Sequence, residues 1–198
     1  MQCVLILFII TAPIIIIKRS AFRRFVARLP VIGDRFRLKT ANEQAKIYGS
    51  NARARLKQKF QVTNIAYPPN KIAMVAIKDT RQLQIYSRDD TNRYHYICSY
   101  PILGASGNLG PKLRLGDRQV PEGLYQLSLE PNTPYHLALR LNYPNEFDLK
   151  HASEENRNPG SDILIHGTRG SVGCIAMGDE VSEVYLLWFM IVLTKNLS

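Results

Sequence analysis

At Tyr67-Pro68-Pro69 the chain changes its period. Beyond it, apolar residues fall in short runs separated by turn-forming clusters: Ile72–Ile77, Leu83–Tyr86 and Tyr94–Tyr100 are divided by Lys78-Asp79-Thr80-Arg81 and by Ser87–Asn92. That pattern predicts a meander of antiparallel strands. Further strands are predicted at Gly123–Leu129, Tyr135–Leu141 and Asp162–His166. One helix is predicted after Cys174, where Val181, Val184, Tyr185, Trp188 and Ile191 keep helical spacing. Its apolar stretch Val184–Leu193 is too short to cross a bilayer and is expected to pack on the sheets. The loops LGASGNLGPK, LGDRQVPEG and LNYPNEFD, rich in Gly and Pro, are the places where a β scaffold commonly carries a site.

Before the double proline the chain is of another kind. Residues 1–17 contain no charged side chain, and the run CVLILFIITAPIIII meets Lys18, Arg19, Arg23 and Arg24 directly. As a helix it would span roughly 25 Å, just short of a hydrocarbon core of ~30 Å. No small-x-small cleavage site follows it, so an uncleaved membrane anchor is favoured over a cleaved signal. Cys3 has only two residues before it and reads as a packed thiol, not a lipidation site. Residues 18–67 read as a basic juxtamembrane arm ending in a short helix. Thr40 and Glu43 form a T-x-x-E capping box, and Ala45, Tyr48, Ala52, Leu56 and Phe60 follow at spacings of three and four. Gly49 interrupts that pattern.

Charge follows the same division. Residues 1–67 hold 13 of the 26 Lys and Arg against only Asp34 and Glu43, a net of +11, so residues 68–198 sum to −1. A nucleic-acid enzyme spreads its excess over the surface that grips phosphate; here it sits in one terminal segment, and no nucleic-acid partner is expected. Three cysteines are too few for a disulfide scaffold. No phosphate-binding glycine loop and no H-E-x-x-H motif is present.

The stretch that carries chemistry is SDILIHGTRGSVGCIAMGDE. An apolar run delivers His166 and Gly167, and a Gly/Ser-rich loop then presents Ser171, Gly173 and Cys174. A nucleophilic cysteine needs a neighbouring imidazole, exposure, and backbone N–H groups aimed at the developing oxyanion. Glycines 167, 170 and 173 permit the sharp turns such a site requires. Pairing with a protonated imidazole would raise the thiolate fraction. On residues alone, a structural cysteine or a metal half-site remains open, but zinc takes three or four protein ligands and His95, His136 and His151 show no ligand-like pairing. Cys98 shares an alternating strand with Tyr94, Tyr96 and Tyr100 and reads as a packed thiol; a disulfide from it to Cys174 would silence the nucleophile.

With I-H-G followed by S-x-G-C, the chain also holds YPILGASGNLGPKLRLGDRQVPEGLYQL, with Gly116-Asp117 and Pro121-x-Gly123-x-Tyr125, and YHLALRLNYPNEFD. Together these make residues 70–190 resemble the L,D-transpeptidase catalytic domain of the YkuD type, particularly its YafK-like branch. The resemblance implies a mainly β fold, a YkuD-type β-sandwich with one helix after the cysteine, over residues 68–198. It implies Cys174 as nucleophile and His166 as proton acceptor and donor. It further implies that Ser171 and Gly173 shape the loop, with N–H groups near Gly173 and Cys174 forming the oxyanion hole. Gly167 belongs to the motif, Arg169 is placed to meet a substrate carboxylate, and Tyr135 and His136 lie in the Y-H-L element, with either a substrate-side or a structural role. Where the commoner family pattern reads S-H-G-C-I-R, Val172 and Ala176 stand here, as in the compact YafK-like spacing.

The activity so implied is acyl transfer from a peptidoglycan tetrapeptide stem, with release of D-alanine and a Cys174 thioester resolved by an amine. The alternative is a hydrolase of the same fold that cleaves at the diamino acid, for example detaching a wall-linked protein. No metal or organic cofactor is implied. The expected partners are stem peptides and, through residues 1–17, the inner membrane, with the catalytic domain in the periplasm of a bacterial envelope. The basic residues after the apolar run favour the opposite orientation; the catalytic motif is given precedence over that bias.

Overall fold

The computed structural model describes residues 39–63, 65–130 and 132–195. The expected anchor at 1–17, Cys3 and the first part of the basic arm lie outside the described residues. Lys39–Ser198 form one compact unit. Helix α1 (Ala41–Thr63) is followed by a three-stranded antiparallel sheet of β1 (Lys71–Ile77), β2 (Gln82–Arg88) and β3 (Tyr94–Pro101), in that order. The second sheet runs β4 (Leu127–Glu130), β5 (Ala138–Leu141), β6 (Leu164–His166) and β7 (Ile175–Ala176). Its pairs are antiparallel except β6–β7, which is parallel. Helix α2 (Glu146–Glu154) lies between β5 and β6, and α3 (Asp179–Lys195) follows β7.

Among the described residues the architecture is therefore mixed α/β, two small sheets with three helices, where a mainly β domain was expected; the helix expected after the cysteine is present as α3. Helix α2 and the two-residue β7 are the elements the sequence pattern does not announce. Helix α2 has a clear start of its own. It starts on a reciprocal capping box, the Asn145 side chain accepting from the Asp148 N–H and the Asp148 carboxylate accepting from the Asn145 N–H. Only Ala152 is buried, with Phe147 and Leu149 exposed, so there is no apolar stripe to betray it. Three strands are also shorter than predicted, and Gly123–Gln126, Tyr135–Leu137 and Asp162–Ile163 are irregular backbone leading into β4, β5 and β6.

Helix α1 begins on the predicted box: Glu43 Oε2 accepts from the Thr40 N–H at 2.7 Å and Thr40 Oγ1 from the Glu43 N–H at 3.2 Å. It packs on α3, burying Ala52, Leu56 and Phe60, and the Phe60 ring meets Trp188 edge-to-face. Gly49, which weakened the helix pattern, sits on this buried face. A methyl there would reach Leu187 Cδ1 at an ordinary 3.8 Å. Gly49→Ala is therefore expected to stabilise the fold by roughly 0.5–1 kcal/mol, seen as a higher urea midpoint at unchanged m value.

Trp188, with no exposed surface, anchors a core to which both sheets contribute, including Leu83, Ile85, Leu139 and Ile165. Cys98 is buried and reduced, as expected. The face it shares differs from the expectation, because a register shift opposite Ile85–Tyr86 leaves Ile97 as an extra residue. That bulge reverses the alternation, so Tyr94 and Tyr96 point to solvent while Ile97 and Cys98 are both buried. Among the described residues, no helix is long and apolar enough to cross a membrane.

Candidate active site

Every residue of β6 is buried, and its position is fixed from three sides. Register pairs Ala138 with His166 and Ile165 with Ile175. From α3, the Tyr185 hydroxyl lies 3.1 Å from both the Leu137 and Ile165 carbonyls, tying the ends of β5 and β6 together. After His166 the chain turns sharply. Gly167 N–H donates to Leu137 O at 2.9 Å, Thr168 N–H to Asp179 Oδ1 at 2.7 Å, and Met177 N–H to His166 O at 2.8 Å. Gly167 has no room for a side chain: a Cβ would lie 2.7 Å from Asp179 Oδ1 and 2.8 Å from Tyr135 O.

The His166 ring is 1% exposed and stacks on Tyr135 with centroids 4.6 Å apart. Its Nδ1 faces the Gly167 carbonyl oxygen. A carbonyl only accepts, so Nδ1 carries the hydrogen and Nε2 of the neutral ring is left as the base. Burial pulls the imidazole below its ordinary value, partly opposed by the Gly167 carbonyl.

Cys174 follows Gly173, whose φ of +83° is one that glycine adopts without strain. The sulfur accepts from the Leu164 N–H at 3.3 Å and lies 3.7 Å from Asp162 O. Cys174 is the bend residue immediately before β7, and its thiol meets backbone atoms at the start of β6. Among the described residues, however, no hydrogen bond joins thiol and imidazole. Burial raises the Cys174 thiol above its ordinary value, with the Asp162 charge adding to the rise and the Leu164 N–H, Arg140 and Lys112 opposing it. Burial thus favours the neutral form of both groups, because each is withdrawn from water. Iodoacetamide alkylation of Cys174 should accordingly climb with pH through a midpoint above 9, the ordinary value of the group. A midpoint near neutrality would reveal a preformed ion pair.

The loop before Cys174 differs from expectation in one respect. The Gly173 N–H, expected to help stabilise an oxyanion, already donates to Ser106 Oγ at 2.7 Å. Ser171 Oγ is buried without a hydrogen-bond partner. Arg169 and Val172 are exposed. Beneath Arg169 the backbone is tight, since a Cβ on Gly104 would lie 2.2 Å from Arg169 O. The His136 Nε2 lies 3.3 Å from Glu183 Oε1, and its ring meets Tyr48 of α1 edge-on. Ser106, Asp162, Leu164 and Asp179 were not singled out in the sequence. The glycine-rich loop around Ser106 was the signal available; Asp162 and Leu164 act through backbone atoms that no pattern of side chains records.

A cavity of about 770 Å³ is lined by Ile165 and Ile175 together with β1 and Val120–Leu127. By strand alternation Ile165 faces the side of the sheet opposite His166, and Cys174 is not among the residues that line the cavity. Among the described residues, no cluster of three or more His, Cys, Asp or Glu is placed to hold a metal ion.

Residues 70–190 match the family model for the L,D-transpeptidase catalytic domain, YkuD. The chain belongs to this family. It is 36% identical over 112 residues to "Putative L,D-transpeptidase YafK" of Escherichia coli K12, and equally to the protein of that name from strain O157:H7. That alignment covers 54% of this chain and 43% of the relative, so the chain spans less than half the length of the curated proteins it matches. Among solved structures, the helical cell shape determining protein Pgp2 from Campylobacter jejuni aligns with a TM-score of 0.49 at 27% identity, over 61% of this chain and 44% of that one.

Proposed function

We propose that this L,D-transpeptidase family member is a cysteine-dependent acyltransferase of peptidoglycan, taking its acyl group from a tetrapeptide stem through a Cys174 thioester. The observation that supports the reading is the placing of the Cys174 thiol at the Leu164 N–H, on the strand that ends in His166, with Gly167 O facing His166 Nδ1 so that Nε2 is left as a base. In the reaction, the thiol turns from the Leu164 N–H toward Nε2 and yields its proton as sulfur attacks the carbonyl carbon of the amide ahead of the terminal D-alanine. The tetrahedral intermediate collapses with cleavage of the C–N bond, and His166 returns the proton to the leaving amine. An acceptor amine then attacks the thioester, giving up its proton to His166, and the thiol is restored. Each N–H aimed at the oxyanion contributes roughly 3 kcal/mol.

The acceptor decides between outcomes. Mass analysis of products from a disaccharide-tetrapeptide should show free D-alanine and cross-linked dimers. Tripeptide alone would mean that water is the acceptor, and an unchanged substrate would contradict the reading. Residues 1–17 would hold the enzyme at the inner membrane with Lys39–Ser198 in the periplasm. A periplasm-dependent reporter fused after Ser198 should be active, and activity of cytoplasmic reporters alone would overturn that placement.

A further inference from the structure

Three loops meet in front of Cys174. Ser106, in the loop after β3, accepts from the Gly173 N–H at 2.7 Å and donates to the Arg118 carbonyl at 2.7 Å, so its single hydroxyl joins two loops to the nucleophile loop. The Arg118 carbonyl is a firm anchor. Next to it, the Asp117 carboxylate accepts from the N–H groups of Leu113, Arg114 and Gln119 and from Lys112 Nζ. The loop of Ser106 is held to the same segment independently, because Gln119 Oε1 accepts from the Asn108 N–H at 2.9 Å. Gly107 leaves the space for that contact, since a Cβ there would lie 2.0 Å from Gln119 Oε1. Ser106 therefore is not what keeps the loops together. Its hydroxyl adds one thing, a fixed plane for the Val172–Gly173 peptide.

We propose that Ser106 is a positioning residue which fixes the peptide ahead of Cys174 and thereby aims the Cys174 N–H at the oxyanion. Once the Val172–Gly173 plane is held, the two backbone angles of Gly173, with φ in the left-handed region, set the next plane, which carries the Cys174 N–H. That N–H belongs to the nucleophile itself and is the donor left for the oxyanion, since the Gly173 N–H is taken up by Ser106. The inference rests on Cys174 being an acyl-accepting nucleophile and is silent about the natural acyl donor.

The test compares two reactions of the same thiol in the full-length chain, carrying Cys3→Ser, with products mapped to Cys174 by mass. Acetylation by p-nitrophenyl acetate forms the S–C bond through a tetrahedral oxyanion, expels p-nitrophenolate and passes the thiol proton to His166. Alkylation by iodoacetamide forms no oxyanion. Ser106→Ala is expected to slow acetylation by about tenfold to a hundredfold while alkylation stays within about twofold. Ser106→Thr, which keeps the hydroxyl, should restore acetylation. Unchanged acetylation in Ser106→Ala, or an equal fall in both reactions, would overturn the proposal, the second outcome meaning that Ser106 governs access to the thiol. A wild-type chain that shows this Ser106 dependence yet releases no D-alanine from a tetrapeptide stem would count against the peptidoglycan reading alone.

Discussion

Cys174→Ala should release no D-alanine from a tetrapeptide stem, and His166→Gln should release it about 10²- to 10⁴-fold more slowly. The two losses have different origins. Without sulfur no thioester forms. Without the imidazole the thiol remains, still held by the Leu164 N–H and the Asp162 carbonyl, but it has no group to receive its proton. His166→Gln should therefore keep iodoacetamide alkylation of Cys174 within a few-fold of wild type while acyl transfer collapses. Measuring both rates on the same preparation separates a lost base from a disturbed site. Because the buried imidazole must be neutral to act, wild-type acyl transfer should fall as pH drops below 6.5, the ordinary value of the ring, toward its lowered one. Alkylation, which needs only thiolate, should follow the titration of the thiol alone, with no further break at the imidazole.

Asp117→Ala should produce the largest loss of stability. The Lys112 ammonium lies 2.6 Å from Asp117 Oδ1, and the two side chains are only 6% and 12% exposed. Removing the carboxylate strands a buried cation and three backbone N–H groups, a change expected to cost about 3–5 kcal/mol. Lys112→Met should cost less, since the carboxylate keeps its three backbone donors. Urea unfolding at neutral pH measures both. Against the burial that would raise it, Lys112 and those N–H groups hold the Asp117 carboxyl well below the usual carboxylate range. Its contribution is thus complete above the ordinary value of 3.8 and is lost as pH falls through the lowered one. Equal midpoints for Asp117→Ala and wild type would show that this loop contributes nothing to the fold.

How much of this could be read beforehand depended on whether the signal lay in side chains or in backbone geometry. β1, β2 and β3 were legible because alternation and turn residues are local, and α1 because its capping box and apolar face are written in side-chain types. Helix α2 was not, since its cap is Asn145-x-x-Asp148 and it buries only Ala152. β7 was missed because two residues, Ile175 and Ala176, are too few to show a period. At the site, Cys174 and His166 stood out through their chemistry and the glycines around them. Their electrostatic environment did not, because it depends on burial, which arises from tertiary packing, including the Tyr185 hydroxyl of α3 that joins the Leu137 and Ile165 carbonyls. Ser106 was hidden for another reason. It lies 67 residues from Gly173 in sequence and binds a backbone N–H, an interaction that constrains the partner's conformation but not its identity.

Whether Cys174 carries an acyl group from a peptidoglycan stem is decided by intact-mass analysis of the full-length chain, wild type and Cys174→Ala, after exposure to a disaccharide-tetrapeptide. Wild type should gain the mass of the substrate minus D-alanine, mapped to Cys174, labile to hydroxylamine and absent from the variant. A wild-type chain that gains no mass and releases no D-alanine, or an adduct that persists in Cys174→Ala, would contradict a Cys174 thioester.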